Sequence, residues 1–218
     1  MSWPCGSTAV GDERFFAQHP TAFTVTRSDS WRGPGFSVTN FGGGAAVMQV
    51  QTADLGSGNL RSLVLLDAAS QAHMVAVEES SLGISGQRKW EAFSCGGTSG
   101  TTDRRRLFYA VDSTRFFQLG NTVHVFLDGN FSGERAHDFV VHGSYLRGTM
   151  TVSHGGDRGG DFIAQIRKDS SHLATLVGDN TYTVWVNPGV DQAFVLALAV
   201  VLDQMYTPNY DPKCCKHN

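Results

Sequence analysis

Hydrophobic and polar residues alternate with a period of two through most of the chain, in short runs rich in Val, Phe, Thr and Tyr separated by clusters of Gly, Asn, Asp and Ser. A period of two puts successive side chains on opposite faces of an extended backbone, so each run reads as a strand with one buried and one wetted face. About twelve strands can be drawn on this basis. They lie near Ala22–Arg27, Phe36–Thr39, Ala45–Gln51, Ser62–Leu66, Ala72–Glu78, Arg88–Ser94, Arg106–Asp112, Asn121–Leu127, His137–His142, Thr149–His154, Asp161–Arg167 and Thr181–Val186. In the eighth, Val123, Val125 and Leu127 share a face opposite Thr122 and His124; in the eleventh, Phe162, Ala164 and Ile166 oppose Asp161, Gln165 and Arg167. No helical periodicity intervenes between the strands, which points to an all-β chain of antiparallel meanders and not to βαβ units.

One segment departs from this rule. Within Val190–Asp203, the run Ala193-Phe194-Val195-Leu196-Ala197-Leu198-Ala199-Val200-Val201-Leu202 is continuously apolar and holds no turn residue. Its length and its Ala and Leu content predict a helix. Pro188 precedes the first turn and Asp191 falls near the positive end of the helix dipole. A helix apolar on every side has to be enclosed by protein or by lipid. Ten residues make about 15 Å of helix, where a hydrocarbon core needs about 30 Å. A membrane span would also place Asp191 and Asp203 at or inside the bilayer, at about 2–3 kcal/mol each. The pattern therefore predicts a closed barrel of amphipathic strands around a C-terminal helix, with Phe194, Val195, Leu196, Leu198, Val201 and Leu202 in its core. Closure also removes exposed sheet edges.

Composition narrows the picture without redirecting it. The 218 residues, 41% of them hydrophobic, suffice for one domain with a sizeable core, and 25 glycines against 6 prolines indicate many turns and no flexible linker. The expected organisation is a poorly ordered segment over 1–20, one barrel domain over 21–205 and a disordered tail over 206–218. A net charge of −3, from 17 basic and 20 acidic residues, supplies no global field for nucleic acid or an anionic membrane, although a local patch is compatible with it. Cys5, Cys95, Cys214 and Cys215 lack metal-ligand spacing, and the first ten residues do not read as a signal peptide, so reduced intracellular thiols are expected.

The candidates for chemistry are few, and each has a plain structural alternative. Asp138 and His142 share a strand face, but no nucleophile in a recognisable turn accompanies them, and a solvated face is the preferred reading. The stretch His154-Gly155-Gly156-Asp157-Arg158-Gly159-Gly160-Asp161 resembles a phosphate cradle, yet lacks the Gly-Lys-Ser/Thr ending of a P-loop and the helix that would follow; Asp157 and Asp161 match no calcium-loop spacing. No catalytic residue, metal or other cofactor is expected. Three basic clusters, Arg88-Lys89, Arg104-Arg105-Arg106 and Arg167-Lys168, would hold anionic phospholipid headgroups if they converged on one rim; separate solvated strand ends are the alternative. Cys214 and Cys215, flanked by Lys213 and Lys216, invite S-acylation, against the alternative of an ordinary polar tail.

Several runs carry a family resemblance: Leu65-Leu66-Asp67-Ala68, Arg88-Lys89-Trp90-Glu91-Ala92-Phe93, Val123-His124-Val125-Phe126-Leu127, Asp138-Phe139-Val140-Val141-His142-Gly143-Ser144-Tyr145-Leu146, and above all Asn187-Pro188-Gly189-Val190-Asp191-Gln192-Ala193-Phe194. In this order, from about Phe36 to Asp203, the chain resembles the LURP-one-related proteins of plants. The resemblance implies a tubby-like fold, twelve strands around a hydrophobic C-terminal helix, shared with tubby domains and phospholipid scramblases. It further implies a non-enzymatic interaction or membrane-tethering module in plant defence or stress signalling, with anionic phospholipids, phosphoinositides among them, or a protein as partner. Scramblase-like lipid translocation is the alternative, and a membrane-tethered transcription regulator a weaker one. The expected protein is a monomer without a membrane span or nucleic-acid ligand, cytoplasmic with peripheral plasma-membrane or nuclear pools.

Overall fold

A computed structural model of the chain describes residues 15–30, 33–53, 61–80, 89–95, 104–115, 119–130, 136–155, 161–168 and 180–207. Twelve strands precede one helix: β1 (Thr21–Ser30), β2 (Gly33–Asn40), β3 (Ala46–Thr52), β4 (Ser62–Asp67), β5 (His73–Ser80), β6 (Lys89–Ser94), β7 (Arg106–Asp112), β8 (Asn121–Leu127), β9 (Phe139–Ser144), β10 (Thr149–His154), β11 (Phe162–Lys168), β12 (Asn180–Val186) and α1 (Gln192–Tyr206). Each strand pairs antiparallel with its sequence neighbours, and β1 pairs β12 from Thr21 opposite Val186 to Arg27 opposite Asn180, closing the barrel. Odd strands therefore start at one end and even strands at the other. The helix enters at the end where odd strands start and leaves at the end where they finish.

Strand alternation supplies the inner face. Val123 and Val125, predicted to share a buried face, are fully buried, whereas their partner Leu127 is half-buried. On β11 the alternation fails. The pairing jumps from Val152 opposite Ala164 to Ser153 opposite Phe162, which makes Ile163 an extra residue. Ile163 is buried and Phe162, expected inside, is turned out to 42% exposure. Equivalent shifts insert Val47 in β3, Met74 in β5 and Leu107 in β7, each the second residue of an odd strand, so all four bulges ring the entry end. No turn residue marks them in the sequence, because the inserted residues are themselves apolar.

The helix runs four residues past the predicted Leu202, and every residue from Ala193 to Met205 is buried. At about 1.5 Å per residue, 15 residues span about 22 Å, close to the length of a seven-residue strand. Asp191, expected near the dipole's positive end, is the N-cap and accepts from the backbone N–H groups of Ala193 (2.9 Å) and Phe194 (3.1 Å). The Phe194 ring meets Phe108 edge-on at 5.2 Å and Phe139 at 5.1 Å. Of the segment 1–20, residues 15–17 are docked beside the cap: Ala17 N–H donates to Val190 O (3.0 Å) and Gly189 N–H donates to Ala17 O (2.8 Å). Among the described residues no helix is long and apolar enough to cross a membrane.

Candidate functional site

At the exit end, the last carbonyls of α1 and the negative pole of its dipole have to be satisfied inside a barrel. Asp203, 1% exposed, sits on the last turn and would be prohibitive alone in an apolar interior. Arg27, inward-facing near the end of β1, pairs with it at 2.9 Å. The Tyr145 hydroxyl donates to Asp203 Oδ1 (2.7 Å), Thr207 Oγ1 donates to the same oxygen (3.3 Å), and Gln204 Nε2 donates to Oδ2 (3.2 Å). Arg61 continues the network: Nη1 donates to the Gln204 carbonyl (2.9 Å), Nε and Nη2 donate to Glu79 (3.0 and 3.3 Å), and the guanidinium lies 5.2 Å from the Trp90 ring. Burial, reinforced by Asp203, pushes the phenols of Tyr145 and Tyr182 well above their ordinary range, and burial does the same to Tyr206, so all three stay protonated at neutral pH. These groups latch the helix. This partnered network is why the helix continues past Leu202.

Just outside the latch, several short contacts bring four chain segments to one rim. Tyr145 N–H donates to Asn121 Oδ1 (2.9 Å), Thr122 N–H to Thr114 Oγ1 (3.0 Å) and Lys168 N–H to Gly148 O (2.7 Å), while the Tyr145 and Thr207 hydroxyls lie 3.0 Å apart. Arg115, Leu119, Leu146, Arg147 and Lys168 therefore share this rim with Thr207, where the described chain ends. Leu119 is 98% exposed and Leu146 is 95% exposed. Arg115 and Arg147 are exposed and pair with no carboxylate among the described residues. Two glycines make the close approach possible. Gly143 has φ +147, and a Cβ there would strike Thr149 O; Gly120 has φ +131, and its Cβ would lie 2.7 Å from Gly143 O. The result is an open groove lined by Asn121, His142, Ser144, Arg147 and Thr149, with Leu119 at its edge.

The basic residues singled out from sequence do not meet on this rim as a group. Lys89, Arg104 and Arg106 lie on the outer wall of β5–β8, where carboxylates neutralise them: Lys89 pairs with Glu91 (3.1 Å), Arg106 with Glu91 (3.4 Å) and Asp128 (3.7 Å), and Arg104 with Glu78. They also pack on rings, Lys89 4.5 Å and Arg106 5.2 Å from Tyr109 and Arg104 4.1 Å from Phe93. Arg105 is exposed at the entry end of β7. Arg167 lies over Trp185 (5.8 Å) and Lys168 over Tyr145 (5.6 Å), on β11, separated from β7 by β8, β9 and β10. Arg88, Cys214 and Cys215 lie outside the described residues. Sequence reasoning passed over Arg115, Leu119, Leu146 and Arg147. The available signal was the turn Tyr145-Leu146-Arg147-Gly148, in which a bare leucine occupies a position that turns give to polar residues.

Asp138 and His142 serve different partners. Asp138 Oδ2 accepts from Leu127 N–H (2.8 Å) and Asn130 Nδ2 (2.7 Å), tying the β8–β9 connection, and His142 Nδ1 lies 3.3 Å from Thr122 Oγ1. His124 stacks on His137 at 4.2 Å, and burial first, then the neighbouring His137 and His142, pushes its imidazole down. Burial raises the half-buried Cys95 thiol, the opposite of an activated nucleophile. Among the described residues no three His, Cys, Asp or Glu side chains are grouped to hold a metal. The central glycines of the 154–161 stretch and Asp157 lie outside the described residues.

Comparison with known proteins places the barrel. The LURP-one-related family model matches residues 21–203. Protein LURP-one-related 15 of Arabidopsis thaliana is 29% identical over 202 residues, covering 93% of this chain and 88% of that protein. Protein LURP-one-related 1 of the same plant is 32% identical over 104 residues, covering 47% of this chain and 45% of that protein, and Protein LURP1 is 30% identical over 114 residues, covering 52% of each. The matched span holds all twelve strands and the helix as far as Asp203, the residue on which the latch turns, and the chain belongs to the LURP-one-related family.

Proposed function

We propose that this barrel is a non-enzymatic module that docks on an anionic membrane surface through its helix-exit rim. The observation that carries the reading is the placing of two almost fully bare leucines on the same rim as cations that meet no carboxylate among the described residues. An isolated exposed leucine is ordinary; two at 95% and 98% exposure beside Arg115, Arg147 and Lys168 are an amphipathic contact. Burying a leucine side chain contributes about 1.5–3 kcal/mol, and each cation near an anionic surface about 1 kcal/mol. Two leucines and three cations together supply about 6–9 kcal/mol before the cost of association, enough for reversible but not permanent attachment. Neither half suffices alone.

The residues that would do chemistry elsewhere are committed to structure here: Asp191 caps α1, Asp203 holds the latch and Asp138 ties a turn. Lipid translocation by the helix gains no support from its position, because strands enclose it along its whole length. S-acylation of Cys214 or Cys215, a thioester formed from an acyl-CoA with release of the CoA thiol, would add the second anchor that durable attachment needs. Cys214 lies seven residues beyond Thr207, so the acyl chain would be tethered within about 25 Å of the rim.

Flotation of the full chain with vesicles tests the reading. Phosphatidylcholine vesicles containing an anionic lipid should carry the protein and pure phosphatidylcholine vesicles should not, and Leu119→Ser with Leu146→Ser should abolish flotation. Equal flotation with both compositions, or flotation untouched by the leucine changes, would refute it.

A further inference from the structure

Among the described residues, the groove beside Leu119 is lined by hydrogen-bond donors and by no carboxylate. Arg147 offers a guanidinium without a carboxylate partner among the described residues. Asn121 is committed to the wall of the groove, its Oδ1 accepting from Tyr145 N–H and its amide engaging Tyr206, so the donors that remain are those of Arg147, Ser144, His142 and Thr149. Ser144 Oγ accepts from Arg147 N–H (3.2 Å), and its own O–H is left over. His142 engages Thr122 through Nδ1, so Nε2 faces away from that contact. Thr149, paired opposite Ser144 across the β9–β10 hairpin, adds an exposed hydroxyl. Gly143 also lines the groove, and its missing Cβ lets the Thr149 backbone come close.

We propose that this groove binds a phosphomonoester, and that on a membrane it takes a lipid whose headgroup ends in one. The inference rests on the docking reading above and names the ligand for that same rim. A single permanent cation with several neutral donors fanned around it suits an anion with three terminal oxygens, each able to accept more than one bond. A phosphodiester presents two such oxygens, and the headgroup of phosphatidylserine adds an ammonium that the groove, without a carboxylate, cannot meet. Leu119 at the groove's edge lies where the glycerol and acyl portion of a bound lipid would leave it.

The test uses the full chain and phosphatidylcholine vesicles carrying either phosphatidic acid or phosphatidylserine at matched surface charge. Phosphatidic acid should bind about tenfold more tightly, a preference within reach of a few hydrogen bonds to a charged acceptor. Thr149→Val combined with His142→Phe should erase that preference while leaving phosphatidylserine binding unchanged. Equal affinity for the two vesicles overturns the groove and leaves membrane docking standing, whereas binding to neither overturns docking itself. Soluble glycerol 3-phosphate separates headgroup from lipid. It should shift the Gly143 and Ser144 amide resonances even in the Leu119→Ser, Leu146→Ser double variant, and no shift there would overturn the assigned chemistry. A glycerol 3-phosphate shift in a protein with no phosphatidic acid preference would assign the groove to a soluble phosphate ester and overturn the lipid proposal.

Discussion

At the entry end of the barrel, the helix begins behind an apolar seal. Asp191 caps it, residues 15–17 cover it, and the bulged Met74, Leu107 and Ile163 fill the inside of the rim. At the exit end, the same helix stops in a charged network of Asp203, Arg27, Tyr145, Gln204 and Arg61, with bare leucines and exposed arginines on the adjoining turns. Each end holds an aspartate of α1, but they do different work. Asp191 satisfies two N–H groups next to the positive dipole pole, where a carboxylate is welcome. Asp203 sits at the negative pole, where a carboxylate is unwelcome, and is held there by Arg27, the Gln204 amide and its hydroxyl donors. The difference teaches that the exit end is held by specific directional contacts and the entry end by bulk packing, so changes in sequence should be felt unequally.

The largest effect belongs to the core between them. Leu198→Asp would bury an uncompensated charge in the fully enclosed helix and should cost more than about 5 kcal/mol, seen as loss of soluble, folded protein by circular dichroism. A folded variant would mean that the helix does not sit inside the barrel. Next comes the contrast of the two aspartates. Asp203→Ala removes the carboxylate paired with the buried Arg27 and should cost about 3–5 kcal/mol, while Asp191→Ala removes a cap worth about 1 kcal/mol. Denaturant midpoints that fall equally for the two would erase the distinction between the ends.

The exit end also carries a pH signature. Tyr145, Tyr182 and Tyr206 keep their protons in the folded state above the ordinary phenol value of 10.0, whereas the unfolded chain releases them there. Their contribution is fully present below pH 10 and is lost as pH rises further, so denaturant midpoints should fall above about pH 10. His124 has the opposite sign. Its depressed value makes its contribution present above the ordinary 6.5 and lost as pH falls below it, and His124→Gln should flatten the acid limb only. The smallest effect on stability belongs to the rim. Leu119→Ser with Leu146→Ser should change the unfolding free energy by no more than about 0.5 kcal/mol, because both side chains are almost fully exposed. A large destabilisation would make these leucines structural and not an interaction surface.

The fold was legible where the pattern is local. Period-two runs located all twelve strands, and the unbroken apolar run located the helix, because burial on one face or on every face leaves a direct trace in residue order. Ile163 was not legible: a bulge of one apolar residue among apolar residues changes which side chain faces inward without changing composition, and it reversed Phe162. Nor was the helix end, since the apolar run stops at Leu202 and the partner that lets Asp203 be buried is Arg27, 176 residues earlier in the chain. The site was the least legible part. Clusters such as Arg104-Arg105-Arg106 stand out because they are contiguous, yet Arg104 and Arg106 are met by Glu78, Glu91 and Asp128 on neighbouring strands. The rim is assembled from Arg115 and Leu119 between β7 and β8, Leu146 and Arg147 between β9 and β10, and Lys168 at the end of β11, which only barrel topology brings together.

The most direct test of the exit rim as the membrane face is amide hydrogen exchange of the intact protein with and without vesicles containing phosphatidic acid. Exchange should slow over 119–122 and 142–149 and stay unchanged over 40–46 and 161–163, where the entry end exposes its own aromatics, Phe41 and Phe162. Protection at the entry end, with the exit rim unaffected, would contradict the account.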